Sequence, residues 1–198
     1  MKKKLLIATG NPGKLREIQA VMGDLPIAWR TLTDFPDQAE PVEDAETFAG
    51  NAALKARYYS RLLKMLALAD DSGLEVDVLD GQPGVRSARY AGEPANDQAN
   101  NAKLIEALRE VPPERRTARF RCAIALADGD EVLATAEGAI EGVIVDDARG
   151  DNGFGYDPHF WVPPSGMTTA QMSPAVKNAI SHRGLALAAF RPLLVAAI

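Results

Sequence analysis

Leu5-Leu-Ile-Ala-Thr-Gly-Asn-Pro-Gly-Lys14 decides the fold class. Leu5 to Thr9 is a short apolar run stopped by Gly10-Asn-Pro-Gly13, so it reads as a buried strand ending in a tight turn. Lys14 to Met22 then sets Leu15, Ile18 and Met22 on one helical face. Strand, turn and helix in direct succession open an α/β fold. Ile27 to Leu32 reads as a second strand, and residues 33–46 as a polar, acidic loop. Thr47 to Leu66 is the clearest helix, with Phe48, Ala52, Ala56, Tyr59, Leu63 and Leu66 as its core stripe and Asn51, Lys55 and Tyr58 beside it.

Leu66 to Ala69 is a strand-like run ending at Asp70-Asp-Ser-Gly73, and Leu74 to Leu79 alternates as a further strand. Gly81-Gln-Pro-Gly84 is a turn, and Asn96 to Arg109 a helix stopped by Pro112-Pro113. Thr117 to Ala127 and Glu131 to Val145 form a long antiparallel pair around Asp128-Gly129. A glycine-rich loop covers Gly150 to Pro158, and Pro174 to Ala197 is helical with a break near Ser181-His-Arg-Gly184. The reading is one α/β domain over residues 1–198, long enough for two lobes that share a sheet.

Composition narrows the function. Apolar residues make up 46% and charged residues 25%, the balance of a globular protein in water. A net charge of -5 argues against a broad surface for DNA or RNA, but a few placed cations still hold a small anion. The single cysteine, Cys122, lies in the apolar run to Leu126 and reads as a buried small hydrophobe. It allows no disulfide within the chain, which fits a reducing cytoplasm. The two histidines have no zinc-ligand spacing. Lys2 to Lys4 is basic, but the apolar stretch Leu5 to Ala8 is too short for a signal peptide, and nothing approaches a membrane span.

Five segments carry polar chemistry. In Thr9-Gly10-Asn11-Pro12-Gly13-Lys14, backbone N–H groups at a helix start and a lysine suit an anion. The spacing is not that of a Walker A loop, and a plain strand–turn–helix remains the alternative. Asp70-Asp71 at the end of a buried strand is costly unless a metal or hydrogen bonds offset the repulsion, although Asp-Ser-Gly also makes a turn. Alternation along a strand would turn the two carboxylates to opposite sides. Asn51 and Lys55, four apart, share a helix face, and Glu43 precedes that helix; together they suit phosphate and magnesium, or a solvated surface. Phe154 and Tyr156 among glycines, with Asp157, suit a wall for a base or a packed loop. Lys177 with Ser181-His182-Arg183-Gly184 offers donors to a keto oxygen or phosphate, or is a helix start with exposed cations.

Taken in order, these segments resemble the inosine triphosphate pyrophosphatase family, also called the Ham1-like or RdgB-type non-standard purine triphosphate pyrophosphatases. The resemblance also includes Thr47-Phe48, Asn51-Ala52, Lys55-Ala56, Pro83-Gly84, Ser87 to Gly92 and Ile180 to Arg183, and it spans essentially the whole chain. It implies an elongated mixed sheet flanked by helices, in two lobes with a nucleotide cleft between them, and a homodimer. It implies magnesium-dependent hydrolysis of ITP, dITP or XTP to the monophosphate and pyrophosphate, which cleanses the nucleotide pool. It implies that Asp71 is the general base and, with Glu43, a metal carboxylate. Thr9, Asn11, Lys14 and Lys55 would hold the triphosphate, with Gly10, Pro12 and Gly13 in the same loop. Ser72, Phe154, Gly155, Tyr156, Asp157, Lys177, His182 and Arg183 would bind the nucleoside. Three positions depart from the family pattern: Asn152, His159, and Val176, which leaves Lys177 without an acidic neighbour. A related pyrophosphatase with another nucleotide target, or a nucleotide sensor without turnover, are the rival readings.

Overall fold

The computed structural model describes residues 2–198. Among them, seven strands form one sheet in the order β2-β1-β3-β4-β5-β6-β7. They are β1 (Lys4–Ile7), β2 (Ala28–Thr31), β3 (Leu66–Val76), β4 (Thr117–Asp128), β5 (Glu131–Ile144), β6 (Phe160–Val162) and β7 (Met167–Thr168). The helices are α1 (Pro12–Met22), α2 (Phe48–Leu63), α3 (Asp97–Ala107), α4 (Pro174–Ile180) and α5 (His182–Ala197). β1 runs parallel to both β2 and β3, whereas β5, β6 and β7 pair antiparallel. The sheet is therefore mixed, as expected. β4 and β5 are joined by a two-residue turn at Gly129 and Asp130, the hairpin read around Asp128-Gly129.

The chain forms two compact units. One holds the residues through Asp71 with Cys122–Gly138 and His182–Ile198; the other holds Ser72–Arg121 and Ala139–Ser181. In the first, Leu5 and Ile7 of β1 pack with Ile18 and Met22 of α1, Leu66 and Leu68 of β3, Ile124 and Leu126 of β4, and Leu187, Phe190 and Leu194 of α5. Leu6, on the opposite side of β1 from Leu5 and Ile7, is buried as well. A parallel strand covered on both faces reads as an unbroken apolar run, which is why Leu5-Leu-Ile shows no alternation. Each such side chain contributes roughly 1.5–3 kcal/mol by leaving water. Gly138 lets α5 approach β5: a Cβ there would stand 2.3 Å from the His182 carbonyl oxygen and 2.5 Å from the Ala186 nitrogen.

In the second unit, Leu74, Val76, Leu104, Leu108, Phe120, Ile144, Phe160 and Val162 form the core. The rings of Phe120 and Phe160 meet at 4.4 Å between centroids, tilted by 47°.

Several boundaries differ from the sequence reading. α1 begins at Pro12, two residues before Lys14, because Asn11 caps it and proline suits a first helical position. α2 ends at Leu63, where Lys64 takes a left-handed conformation with φ 50°, so Leu66 belongs to β3 and not to the helical stripe. The third matters most. Asp70-Asp-Ser-Gly73 is neither a turn nor a strand end, since β3 runs unbroken from Leu66 to Val76 through both carboxylates. The expected strand to Leu79 stops at Val76 and gives way to a 3-10 turn over Asp77–Leu79. The expected break near Ser181 is present, with Ser181 extended between α4 and α5.

Candidate active site

Alternation along β3 separates the two aspartates, as expected. Asp70 Oδ2 meets Lys14 Nζ at 3.1 Å and accepts from Arg183 Nε at 3.2 Å. Asp71 accepts from Asn51 Nδ2 at 3.1 Å and from Lys55 Nζ at 3.4 Å. Two carboxylates adjacent in sequence thus have separate cations.

Asp70 belongs to a buried charge network. Arg183, 1% exposed, also donates through Nη1 to Glu17 on α1. Burial alone would raise the Asp70 carboxyl, but Lys14 and Arg183, with Lys55, outweigh it and hold it well below the usual carboxylate range. Burial works against the Arg183 charge too, and the facing Asp70 outweighs that. Cys122 lies against Asp70; burial and that carboxylate push its thiol up to about 12. The sulfur is therefore inert, as its apolar setting indicated.

Asp71 lies in a different field. Burial pushes its carboxyl above the ordinary value; Lys55, Lys14 and the Asn51 N–H pull it down, and Glu43 pushes it up. The Lys55 ammonium bridges two carboxylates, at 3.0 Å from Glu43 Oε2 and 3.4 Å from Asp71 Oδ1. Lys55 is 8% exposed, so the solvated-surface alternative does not hold for it. Burial opposes its charge, yet Asp71, Asp70 and Glu43 together hold it above the usual lysine value.

The loop before α1 is organised by Asn11. Its Oδ1 accepts from the Gly13 and Lys14 backbone N–H groups at 2.8 and 3.1 Å, and Thr9 Oγ1 accepts from the Asn11 N–H at 3.2 Å. Two first-turn donors are thus taken by the cap, and the positive charge of this loop resides mainly in Lys14. Gly10 precedes the cap, and Pro12 and Gly13 are the first two residues of α1.

Of the fifth segment only Lys177 meets the fourth, in the second unit; His182 and Arg183 belong to the first unit. Asp157 accepts from three donors: Lys177 Nζ at 2.6 Å, Thr169 Oγ1 at 2.7 Å and the Phe154 N–H at 2.9 Å. Lys177 also stands 5.0 Å from the Phe154 ring centroid. Val176 gave Lys177 no acidic neighbour, and Asp157 supplies that carboxylate from 20 positions away. α3 grips the Gly155 peptide at both ends, through Asp97 Oδ2 on its N–H at 2.7 Å and Asn101 Nδ2 on its oxygen at 2.9 Å. The Tyr156 hydroxyl donates to the Ser87 carbonyl at 2.7 Å, which makes Tyr156 a packed member of the loop. Ser72 follows Asp71 in β3, half-buried, and His182 opens α5, buried. The two other departures are structural: Asn152 donates to the Met172 carbonyl, and His159 Nδ1 pairs with the Val145 carbonyl.

Gly153 has φ +83°, and a Cβ there would fall 2.0 Å from Asp157 Oδ2. Gly153→Ala should therefore displace the Asp157 carboxylate and cost about 1–3 kcal/mol. Thermal melting checks this, and an unchanged melting temperature would show that the loop yields without penalty.

Sequence reading named Asn51 without a role and did not find Glu17, Thr169, Asp97 or Asn101. Glu17 stands three after Lys14 on one helix face, a usable hint. Thr169 has none, because its partner lies across a loop.

Among the described residues no group of three or more His, Cys, Asp or Glu side chains could hold a metal ion. Glu43 and Asp71 nevertheless fit magnesium, which takes one or two protein carboxylates and completes its shell with water and substrate phosphate. The Lys55 ammonium between them marks where positive charge is stable.

Fold and site together define an α/β protein on a mixed sheet, with buried lysine–carboxylate pairs gathered along one central strand. The chain belongs to the Ham1 family, which it matches over residues 5–193. It is 54% identical over 185 residues to a dITP/XTP pyrophosphatase of Geobacter sulfurreducens, covering 93% of each chain. It is 50% identical to one from Shouchella clausii, covering 95% of this chain and 94% of that protein. A solved Ham1 protein from Coxiella burnetii superposes with a TM-score of 0.88 at 40% identity, covering 98% of both chains.

Proposed function

We propose that this protein is a magnesium-dependent hydrolase of non-standard purine nucleoside triphosphates, dITP, ITP and XTP, releasing the monophosphate and pyrophosphate. The observation that carries the reading is the Lys55 ammonium shared by Glu43 and Asp71, on the strand that also presents Asp70 to Lys14. The names of its relatives supply the substrate class.

Water attacks the α-phosphorus and pyrophosphate leaves. Such transfer rests on positioning and charge neutralisation. Lys14 and Lys55 neutralise the triphosphate, held by the loop Thr9, Gly10, Asn11, Pro12, Gly13. Asp71 takes the proton of the attacking water; a carboxyl raised by burial is a stronger base than an exposed one. Glu43 and Asp71 would hold magnesium, which when bound offsets phosphate charge and acidifies water. Ser72, Phe154, Gly155, Tyr156, Asp157, Lys177, His182 and Arg183 are assigned to the nucleoside. Arg183 enters that role already anchored by Asp70 and Glu17. A 6-keto oxygen accepts from such donors where the adenine amino group does not, and a buried donor left unmet costs about 1–3 kcal/mol. No described helix is long and apolar enough to cross a membrane. We assign the protein to the cytoplasm, as a homodimer acting on free nucleotides.

The test is incubation with magnesium and ITP, with GTP alongside, and identification of the phosphorus products. Monophosphate plus pyrophosphate from ITP, with GTP largely spared, is expected. Diphosphate plus orthophosphate would overturn the bond assignment, and binding without turnover would make the protein a sensor.

A further inference from the structure

Asn51 is fully buried on α2, at 1% exposure, and it joins the Asp71 carboxylate to the backbone two residues after Glu43. Its Oδ1 accepts the Ala45 backbone N–H at 3.0 Å, and its Nδ2 donates to Asp71 Oδ2 at 3.1 Å. The first bond fixes the amide orientation, since only the oxygen end can receive an N–H. The donor end is therefore committed to Asp71. Ala45 stands two residues after Glu43, in the polar loop that α2 follows. One side chain thus ties the segment carrying Glu43 to the carboxylate of β3. Lys55, one helical turn on, touches the same two acids through its ammonium.

The division of labour follows from chemistry. Lys55 attracts both carboxylates, but its point charge sets no orientation. An amide donates along a fixed direction and carries no charge, so it orients Asp71 without competing for a cation. The approach around this turn is close: a Cβ on Gly50 would lie 2.8 Å from the Ala45 Cβ.

We propose that Asn51 is a positioning residue that locks Glu43 and Asp71 into one geometry for a divalent cation. The inference rests on the reading of those two acids as metal carboxylates. It does not depend on which nucleotide is hydrolysed. Groups that orient metal ligands typically contribute 10–100-fold in metal affinity.

The test uses Mn2+ alone, followed by the paramagnetic resonance of the free ion, on the full-length protein without nucleotide. Asn51→Ala should weaken Mn2+ binding about 10-fold or more. Asn51→Leu, which keeps the volume if the alanine cavity proves too costly, should do the same. In turnover of ITP the half-saturating magnesium concentration should rise by a similar factor, while kcat at saturating magnesium recovers most of its value. Mn2+ affinity within twofold of the parent in a folded variant would overturn the proposal. So would failure of both variants to fold, which would make Asn51 a stability residue. Weakened Mn2+ binding in a protein that proves not to hydrolyse ITP would leave the inference standing and sink the substrate assignment.

Discussion

Asp71→Asn should lower kcat on ITP by about 10²-fold or more while leaving the protein folded. The first half follows from the proton the attacking water must lose. Asparagine matches the shape but cannot accept that proton. The second half follows from electrostatics. Burial holds the Asp71 carboxyl above its ordinary value of 3.8, so ionisation is harder in the folded chain than in the unfolded one. For a raised carboxyl the favourable contribution exists only below the unfolded value and is lost as pH rises through the folded one. At neutral pH the charge opposes folding, and removing it relieves that opposition. Lys55 retains Glu43 as a partner. Steady-state rates at saturating magnesium, with melting in parallel, check both halves. A near-normal kcat would show that Asp71 is not the base.

Asp70→Asn should do the reverse, destabilising the chain by about 3–5 kcal/mol. Its partners Lys14 and Arg183 keep their charges, and Arg183 is buried. Arg183 keeps Glu17, but losing Asp70 takes from the buried guanidinium and from Lys14 the carboxylate they share, and a buried charge short of its countercharge costs more than the pair contributed. In a chain of this size the melting temperature should fall by roughly 10 °C. The pH dependence has a definite sign. A depressed carboxyl stabilises above its unfolded value, 3.8, and that contribution is lost as pH falls through the lower folded value. The gap between parent and variant should therefore be constant from neutral pH to about pH 5 and close only in stronger acid. Urea unfolding at several pH values measures it. An equally stable variant would show that water, not Asp70, meets the two cations.

Neighbouring aspartates with opposite expected outcomes show what the sequence carried. The mixed α/β plan was legible, since apolar runs and helical spacing are local properties. Lys55 and Asn51 were legible as neighbours because a helix repeats every three to four residues. The continuity of β3 was not. Asp, Ser and Gly are turn formers by local preference, and only partners distant in sequence keep them extended. Asp70 depends on Arg183, 113 positions on, and Arg183 on Glu17, 166 positions back. No window of sequence contains both ends of such a pair. The same holds for Lys177, whose neighbour Val176 suggested a missing carboxylate while Asp157 held it.

The anchoring of Asp70 by Arg183 bears on how the chain is made. A ribosome adds about 5–20 residues per second, and early segments ordinarily fold first. Here the nascent chain has Lys14, Glu17, Lys55 and both aspartates long before residue 183 emerges, yet the guanidinium that joins Asp70 to Glu17 arrives with the opening turn of α5. The same helix brings Leu187, Phe190 and Leu194 to a core begun by Leu5 and Ile7. An earlier segment thus waits for a much later one to complete it. A premature stop before position 182 would strip countercharge and core from residues synthesised more than a hundred codons earlier, so a late truncation acts on this protein as an early lesion would.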